Sequence, residues 1–344
     1  MWQYNNGRVA RTLFDRHVWR IIMSRISTAI LALFVGSLLT TPLLAQDATT
    51  FRFKAKPGDK RYYQISSTVD MSQKIGGQDL TTKIASKQSI EREVTKSDKD
   101  GIVALRARSL RLQLNSEFPG GIEYKFDSDS TDNNDGSQIG AALGPLYDAI
   151  NGAIVELTLT PQGKVTKATG LAEAIKGAIQ DNAIAQQFAA GADSDEGVAH
   201  AMQDQFIEFP KKALSPGDEW EVPYDMTLPK LGTTTSTTKY KYEGLDEDSG
   251  QGKSIHKFTF TTSMDFDIDL KSDQFTATGK LKISNSSGTA LFDAEAGRLV
   301  SKKSETTLGG DITIEAGGNT VPIQQEQNQK MELKLLDGPP KKDE

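Results

Sequence analysis

Two histidines, an acidic loop and three alternating aspartates are the groups of this sequence that come nearest to carrying chemistry. Cysteine is absent, and of the three histidines His17 lies in the Arg-rich front end, which leaves His200 and His256. Without thiols there are no thiolate metal sites, no cysteine nucleophiles and no disulfides. A serine–histidine pair would have to use one of the two remaining imidazoles, and no Gly-x-Ser-x-Gly elbow accompanies either. His256 alternates with Phe258 and reads as a packing residue of a strand, whereas His200, between Val198 and Met202, reads as a boundary position on a helix. Gly252-Lys253-Ser254 imitates the end of a phosphate loop, but Glu247 stands where the earlier glycine is needed. The run from Asp127 to Gly136 offers hard oxygen donors suited to Ca²⁺. Read as an EF-hand loop it places Asp132 at the glycine position and Gln138 at the terminal glutamate position, so it is expected to be an exposed acidic linker. Catalytic residues, metal ligands and cofactors are therefore all expected to be absent, and the protein is read as a non-enzyme, with an unrecognised hydrolase as the lesser alternative.

A different lead comes from alternation. Phe258, Phe260, Thr262, Met264, Phe266, Ile268 and Leu270 share one parity, and Asp265, Asp267 and Asp269 share the other. This is the pattern of a strand with one buried and one solvated face, where acids on the polar side are ordinary. Thirteen residues at about 3.3 Å each reach about 43 Å, longer than usual strands, so strong twist is expected. Phe258, Phe260, Met264, Phe266 and Ile268 are the candidate ligand-binding residues. A curved apolar sheet face under a helix shelters a lipid or another apolar ligand, and the same residues serve equally as a filled core.

Stepping along the chain, period-2 patterns dominate from Phe51. Tyr63, Ile65, Val69 and Met71 share a face, Gly76-Gly77 turns the chain, and Leu80, Ile84, Ile90 and Val94 follow up to the turn at Asp98 to Gly101. The apolar set then shifts parity from Val103, Leu105 and Ala107 to Leu110, Leu112 and Leu114, which predicts a bulge near Ser109. Pro119-Gly120-Gly121 leads into Ile122, Tyr124 and Phe126. The middle is different: residues 139–150 suggest a short glycine-weakened helix, and Leu171, Ile175 and Ile179 suggest a second. Val198, Met202 and Phe206 suggest a third, behind a Ser194 cap and ended by Pro210. After Pro210 strands resume, with hairpins expected around Gly288 and Gly317-Gly318 and a last strand through Met331, Leu333 and Leu335. Lys56-Pro57-Gly58-Asp59 is echoed by Ser215-Pro216-Gly217-Asp218.

The expected fold is mainly β (α+β): antiparallel curved sheets, as one large or two similar β units, with a central helical insert covering a sheet face. The expected organisation is a leader over 1–45, a β unit with the insert over 46–209, a second β unit over 210–336 and a disordered tail over 337–344. In the leader, Arg8, Arg11, Arg16, Arg20 and Arg25 precede an apolar run from Ile26 to Leu44 and then Ala45. That is the order of a secretory signal, with Met23 as an alternative start; an uncleaved anchor in the inner membrane is the alternative reading. Of 40 basic and 46 acidic residues in the chain, five basic and one acidic lie in 1–45, leaving 35 against 45 beyond it. An acidic body argues against nucleic acid as a partner.

Phe51-x-Phe-x-x-Lys-Pro-Gly-Asp, the element Thr160 to Gly170, and Phe209-Pro210 leading to Leu214-Ser-Pro-Gly-Asp-x-Trp220 resemble an uncharacterised family of bacterial exported proteins and lipoproteins, a domain of unknown function. The resemblance covers most of residues 51–336 and implies a strand-rich fold and an exported, periplasmic or extracellular location. The lipobox cysteine of lipidated members is missing here. Two expectations follow for the partner: a lipid or other apolar ligand, or another protein of the cell envelope.

Overall fold

The computed structural model describes residues 48–340 apart from 132, 134–136, 180–181, 190–191, 193, 229–231, 248–253 and 272–274. The leader, the phosphate-loop mimic at Gly252-Lys253 and the end of the tail (341–344) lie outside the described residues. The alternating stretches become long strands: β1 (Lys60–Ile75), β2 (Gln78–Ser97), β3 (Val103–Phe118) and the short β4 (Ile122–Asp127). β5 (Ile154–Leu159) and β6 (Val165–Thr169) follow the first helix, and β7 (Glu219–Leu228), β8 (Gly232–Leu245), β9 (Ile255–Lys271), β10 (Phe275–Asp293), β11 (Arg298–Ala316) and β12 (Asn319–Leu336) complete the chain. All belong to one antiparallel sheet in the order β6-β5-β3-β2-β1-β12-β11-β10-β9-β8-β7, with β4 paired to β3 off that path. The first and last strands pair from Tyr62 opposite Leu336 to Ile75 opposite Ile323. That pairing joins the two meanders into a single sheet whose open edges are β6 and β7.

The parity shift in β3 has the expected cause. Ser89 lies opposite Arg111 and Ile90 opposite Ser109, so Leu110 is the extra residue, and the bulge keeps Ala107 and Leu112 on the same, buried side. The hairpin expected around Gly288 is not there. β10 runs through that position, and its turn to β11 comes after Asp293. Gly288 faces Phe260 across the ladder, and a Cβ at that glycine would lie 2.1 Å from the ring. Glycine is used there for close approach of a ring to the backbone, not for a turn.

The two Pro-Gly-Asp corners share one geometry. In the first, Asp59 Oδ2 accepts from Lys56 N, Gly58 N donates to Val94 O, and Val94 N donates to Asp59 O. In the second, Asp218 Oδ2 accepts from Ser215 N, Gly217 N donates to Tyr242 O, and Tyr242 N donates to Asp218 O. Each glycine has φ near +90° (89° and 92°), open to glycine at little cost. The registers of β2 and β8 then slip just past Val94 and Tyr242 respectively.

Among the described residues, four helices lie between the meanders: α1 (Gln138–Gly152), α2 (Leu171–Ile179), α3 (Ala183–Phe188) and α4 (Asp195–Gln203). Ser137 and Ser194 cap α1 and α4 by accepting from Gly140 N and Gly197 N. α4 stops at Gln203, so Phe206 lies in the strap beyond it and Pro210 has no part in ending the helix. The main helix contacts are with β3, β4 and β6. Leu143, Leu146 and Ile175 pack on Tyr124 and Phe126, and Val198 packs with Leu157 and Ala168. The long strand β9 is not among the strands that carry the main helix contacts. It meets the strap after α4 instead: Phe209 lies 5.4 Å from Phe258. The chain at 49–54 crosses the same end, with Thr49 bridging Leu214, Phe53 N donating to Pro161 O and Lys54 N to Gly297 O.

Candidate functional site

The five residues singled out on β9 share the inner face, the side that carries the cores, and the strand leads them through three environments. Phe258 is fully buried among Phe51, Phe209 and Tyr242, at ring separations of 5.0, 5.4 and 5.2 Å. Phe260, one step along, lies 5.4 Å from Tyr240 and beneath the Lys302 ammonium at 4.9 Å. Met264 is half-buried and lines a hollow of about 270 Å³. Phe266 and Ile268 belong to a separate apolar cluster with Ala277 and Leu281, bordered by Leu308 and Ile312. Asp265, Asp267 and Asp269 are exposed on the opposite face.

The residues that the sequence reading missed are two buried cations and the groups around them. Lys302 is 4% exposed, yet its Nζ is fully engaged: it donates to Asp204 O at 2.7 Å and Phe206 O at 3.0 Å, just past the C-terminus of α4. Lone carbonyls at a helix end are where a cation is best placed. Burial still pushes the ammonium down to about 8, against the pull of Asp204. Arg92, equally buried, lies 4.7 Å from both the Tyr63 and Phe206 rings and donates to Gln205 Oε1; burial lowers it to about 10. Gln203 bonds Val165 N and Gly163 O, and Trp220 Nε1 donates to Glu208 O at 2.8 Å. The strap 203–209 is thus fastened to β6, β2, β11 and β7, and it seals the aromatic end of the inner face.

Beyond the strap lies the hollow. One wall is His200, Gln203 and Asp204 from the end of α4, and the opposite wall is sheet: Thr262, Met264, Leu308, Gln327 and Gln329 among others. The His200 ring lies 4.0 Å from that of Tyr224 of β7, tilted by 38°, so α4, which packs on edge strand β6, also touches edge strand β7. Burial lowers the His200 imidazole, with Asp204 opposing, and raises the Glu208 carboxyl, with Lys164 opposing.

The register makes the inner face explicit. Past Lys302 and Phe260, the inward positions are Ser67, Val69, Met71, Gln73 and Ile75 on β1 and Met331, Gln329, Gln327, Gln325 and Ile323 on β12. On β11 they are Ser304, Thr306, Leu308, Gly310, Ile312 and Ile314, and on β9 Thr262, Met264, Phe266, Ile268 and Leu270. None of these residues is charged. Over this stretch past Lys302 the acids and bases of the same strands face outward, where many are paired: Lys303 with Glu332 at 3.0 Å, Lys330 with Glu305 at 3.1 Å. The outer face carries a wider trough of about 910 Å³ over Lys239, Thr259, Lys303 and Lys330. Its charges already satisfy one another, so it offers a ligand little beyond a solvated surface.

The remaining sequence candidates do not converge. His256 Nδ1 is 2.7 Å from Tyr242 Oη and its ring lies 4.9 Å from Phe51, a packing role. Asp127 is held by Arg111 at 2.9 Å, by Gln113 and by the Asp129 amide, which bring its carboxyl down to about 2, and Asn133 folds back onto the Asp127 backbone. The start of the acidic run is thus tied to β3 and is not a free linker; Asp132 and 134–136 lie outside the described residues. Among the described residues no three carboxylates or imidazoles are grouped to hold a metal ion. Also among them, no helix is long and apolar enough to cross a membrane.

Fold and site together define an open antiparallel sheet, sealed by aromatic packing at one end and presenting an uncharged inner face at the other. The chain belongs to a family of unknown function, DUF6263, whose model matches residues 100–297. No curated protein matches the sequence. Among solved structures, one concerned with lipid–protein interactions in lipovitellin is 11% identical, with a TM-score of 0.38 over 83% of this chain. This chain spans about a quarter of that one's length (26%). DynF, from the dynemicin biosynthesis pathway of Micromonospora chersina, is 10% identical with a TM-score of 0.18, covering 87% of this chain and 90% of its own. The beta domain of the Bordetella autotransporter BrkA is 7% identical with a TM-score of 0.21, covering 81% of this chain and 100% of its own.

Proposed function

We propose that this is an exported, non-enzymatic protein of the bacterial cell envelope that binds an apolar chain along the inner face of β9–β12 and β1. The observation that carries the reading is the segregation of charge. Over the stretch beyond Lys302 every inward residue of these strands is neutral, although the outward residues between them are rich in Lys, Asp and Glu. Burial in a filled core would explain neutrality only where the positions are closed off. Val69, Met71, Ile75, Leu308, Ile312 and Ile323 are only half-buried, and the main helix contacts lie elsewhere. A half-open apolar surface needs an occupant or pays in exposed hydrophobic area.

A second reading, a structural or interaction protein of the envelope with a filled core, is favoured by closed packing: Phe266, Ile268, Ala277 and Leu281 are buried in a cluster of their own. The rings around Phe258 leave no room for a ligand. Export rests on the leader, and N-terminal sequencing of the secreted or periplasmic form should begin at Gln46 or within a few residues of it. Recovery of intact Met1 or Met23 in the membrane fraction would instead make the leader an anchor.

Diphenylhexatriene, a neutral hydrocarbon dye, tests the binding reading. Its fluorescence should rise on addition of the purified protein and saturate, and Phe266→Ala should change the uptake. No uptake by a folded wild-type protein removes the chain-binding reading and leaves the structural one.

A further inference from the structure

The inner face has three zones in sequence: a dry aromatic end, a belt of hydroxyls and amides at the hollow, and an apolar stretch beyond. Resting on the chain-binding reading above, we infer that the occupant is an amphiphile with a neutral, hydrogen-bonding head (hydroxyl, glycerol or amide), its head in the belt and its chain along the apolar stretch.

Head chemistry follows from what the belt offers. Its sheet side presents Thr238, Thr262, Ser304, Thr306, Gln327 and Gln329. Thr238 and Thr262 bond each other at 3.1 Å, while the side chains of Ser304, Thr306, Gln327 and Gln329 make no hydrogen bond to other described residues. Amides and hydroxyls both donate and accept, and leaving them unpaired in a ligand-filled hollow costs free energy. The one ammonium in the hollow, Lys302, has two of its three protons on carbonyls and lies over the Phe260 ring. It has little left to offer an anion. Asp204 and Glu208 border the same hollow and would repel a carboxylate or phosphate head. A quaternary ammonium head would be drawn by Asp204 and Glu208, but it has no proton to donate and no lone pair to accept with, so it would leave the belt's hydroxyls and amides unpaired. The chain fits the space: from Thr262 to Leu270 the strand rises about 26 Å, more than the roughly 15 Å that one acyl chain occupies as half of a bilayer's hydrocarbon core.

The test compares four ligands that share an oleyl or oleoyl chain: monoolein, oleate, lysophosphatidylglycerol and oleyltrimethylammonium, each displacing diphenylhexatriene from the full mature protein at pH 8. Monoolein should displace the dye at a concentration at least tenfold below that of each charged ligand. In Thr306→Val/Gln329→Leu, which keeps the surface neutral, that advantage, read as a ratio of the displacing concentrations within the same variant, should shrink to less than threefold. A charged ligand that equals or outperforms monoolein overturns the head assignment and leaves the chain reading in place, because the dye is still displaced. An undiminished advantage in the double variant overturns the belt as the head site. Absence of dye uptake by wild type removes the chain reading itself, a failure distinguishable from the other two.

Discussion

The two ends of one sheet face follow opposite rules. At the end crossed by residues 49–54 and by the strap 203–209, inward residues of the sheet close into one buried cluster with Phe51, Ile207 and Phe209. Phe51 alone stacks against or abuts Phe209, Tyr242, His256, Phe258 and Phe292. Even the cations Arg92 and Lys302 are absorbed there, by rings and carbonyls of the strap. At the other end the same strands present Thr, Gln, Met and Ile with no helix or strap as their main cover.

The sharpest way to break this contrast is a matched pair of truncations on β9. Phe258→Ala should cost about 3–5 kcal/mol, the usual range for a ring removed from a filled core. Phe266→Ala should cost less, because its cluster has four buried members against the fourteen of the cluster that holds Phe258. Chemical denaturation of both variants measures the difference, and equal losses would mean that the far end is as well packed as the near one.

A smaller effect is expected at the boundary. Gly288→Ala sets a methyl against the Phe260 ring, and displacing that ring from beneath Lys302 should cost about 1–3 kcal/mol. The companion change Phe260→Leu should make the alanine nearly neutral, so the two changes should be strongly non-additive in a double-mutant cycle.

The buried ammonium gives the third prediction, smaller at neutral pH and visible in alkali. Lys302 titrates at about 8 in the folded protein and near 10.5 in an unfolded chain. Between those values the unfolded state binds more protons, so stability contributed by this group rises with pH across the window. Below about pH 8 the burial cost is present in full. Lys302→Met should flatten the alkaline rise in thermal midpoint between pH 8 and 10, and an unchanged profile would mean that the ammonium is well solvated.

Much of the sheet was legible because local pattern sufficed. The alternation on β9 told both of its faces, Gly76-Gly77 marked a true hairpin, and the parity slip located the bulge at Leu110 within one residue. Ser194 was readable as a cap because its hydroxyl acts three residues away. The belt and the strap were not legible, because their partners are distant. Lys302 and Lys303 adjoin in a strand, so one of them had to face inward, yet which one depends on carbonyls 98 and 96 residues away. Gly288 reads as a turn in the sequence because its reason for being glycine is a ring on the neighbouring strand. The acidic run from Asp127 looked free because Arg111, which holds its first carboxylate, belongs to the preceding strand.

The central claim is that neutrality of the inner face serves a bound chain, and two adjacent positions of β11 test it most directly. Ile312 faces inward opposite Ile323, and Thr313 faces outward opposite Thr278 and Pro322. Ile312→Lys should abolish uptake of diphenylhexatriene while the protein stays folded by circular dichroism, and Thr313→Lys should leave uptake at the wild-type level. Equal uptake by both folded variants would contradict the account, because a charge on the inner face would then make no difference to the ligand.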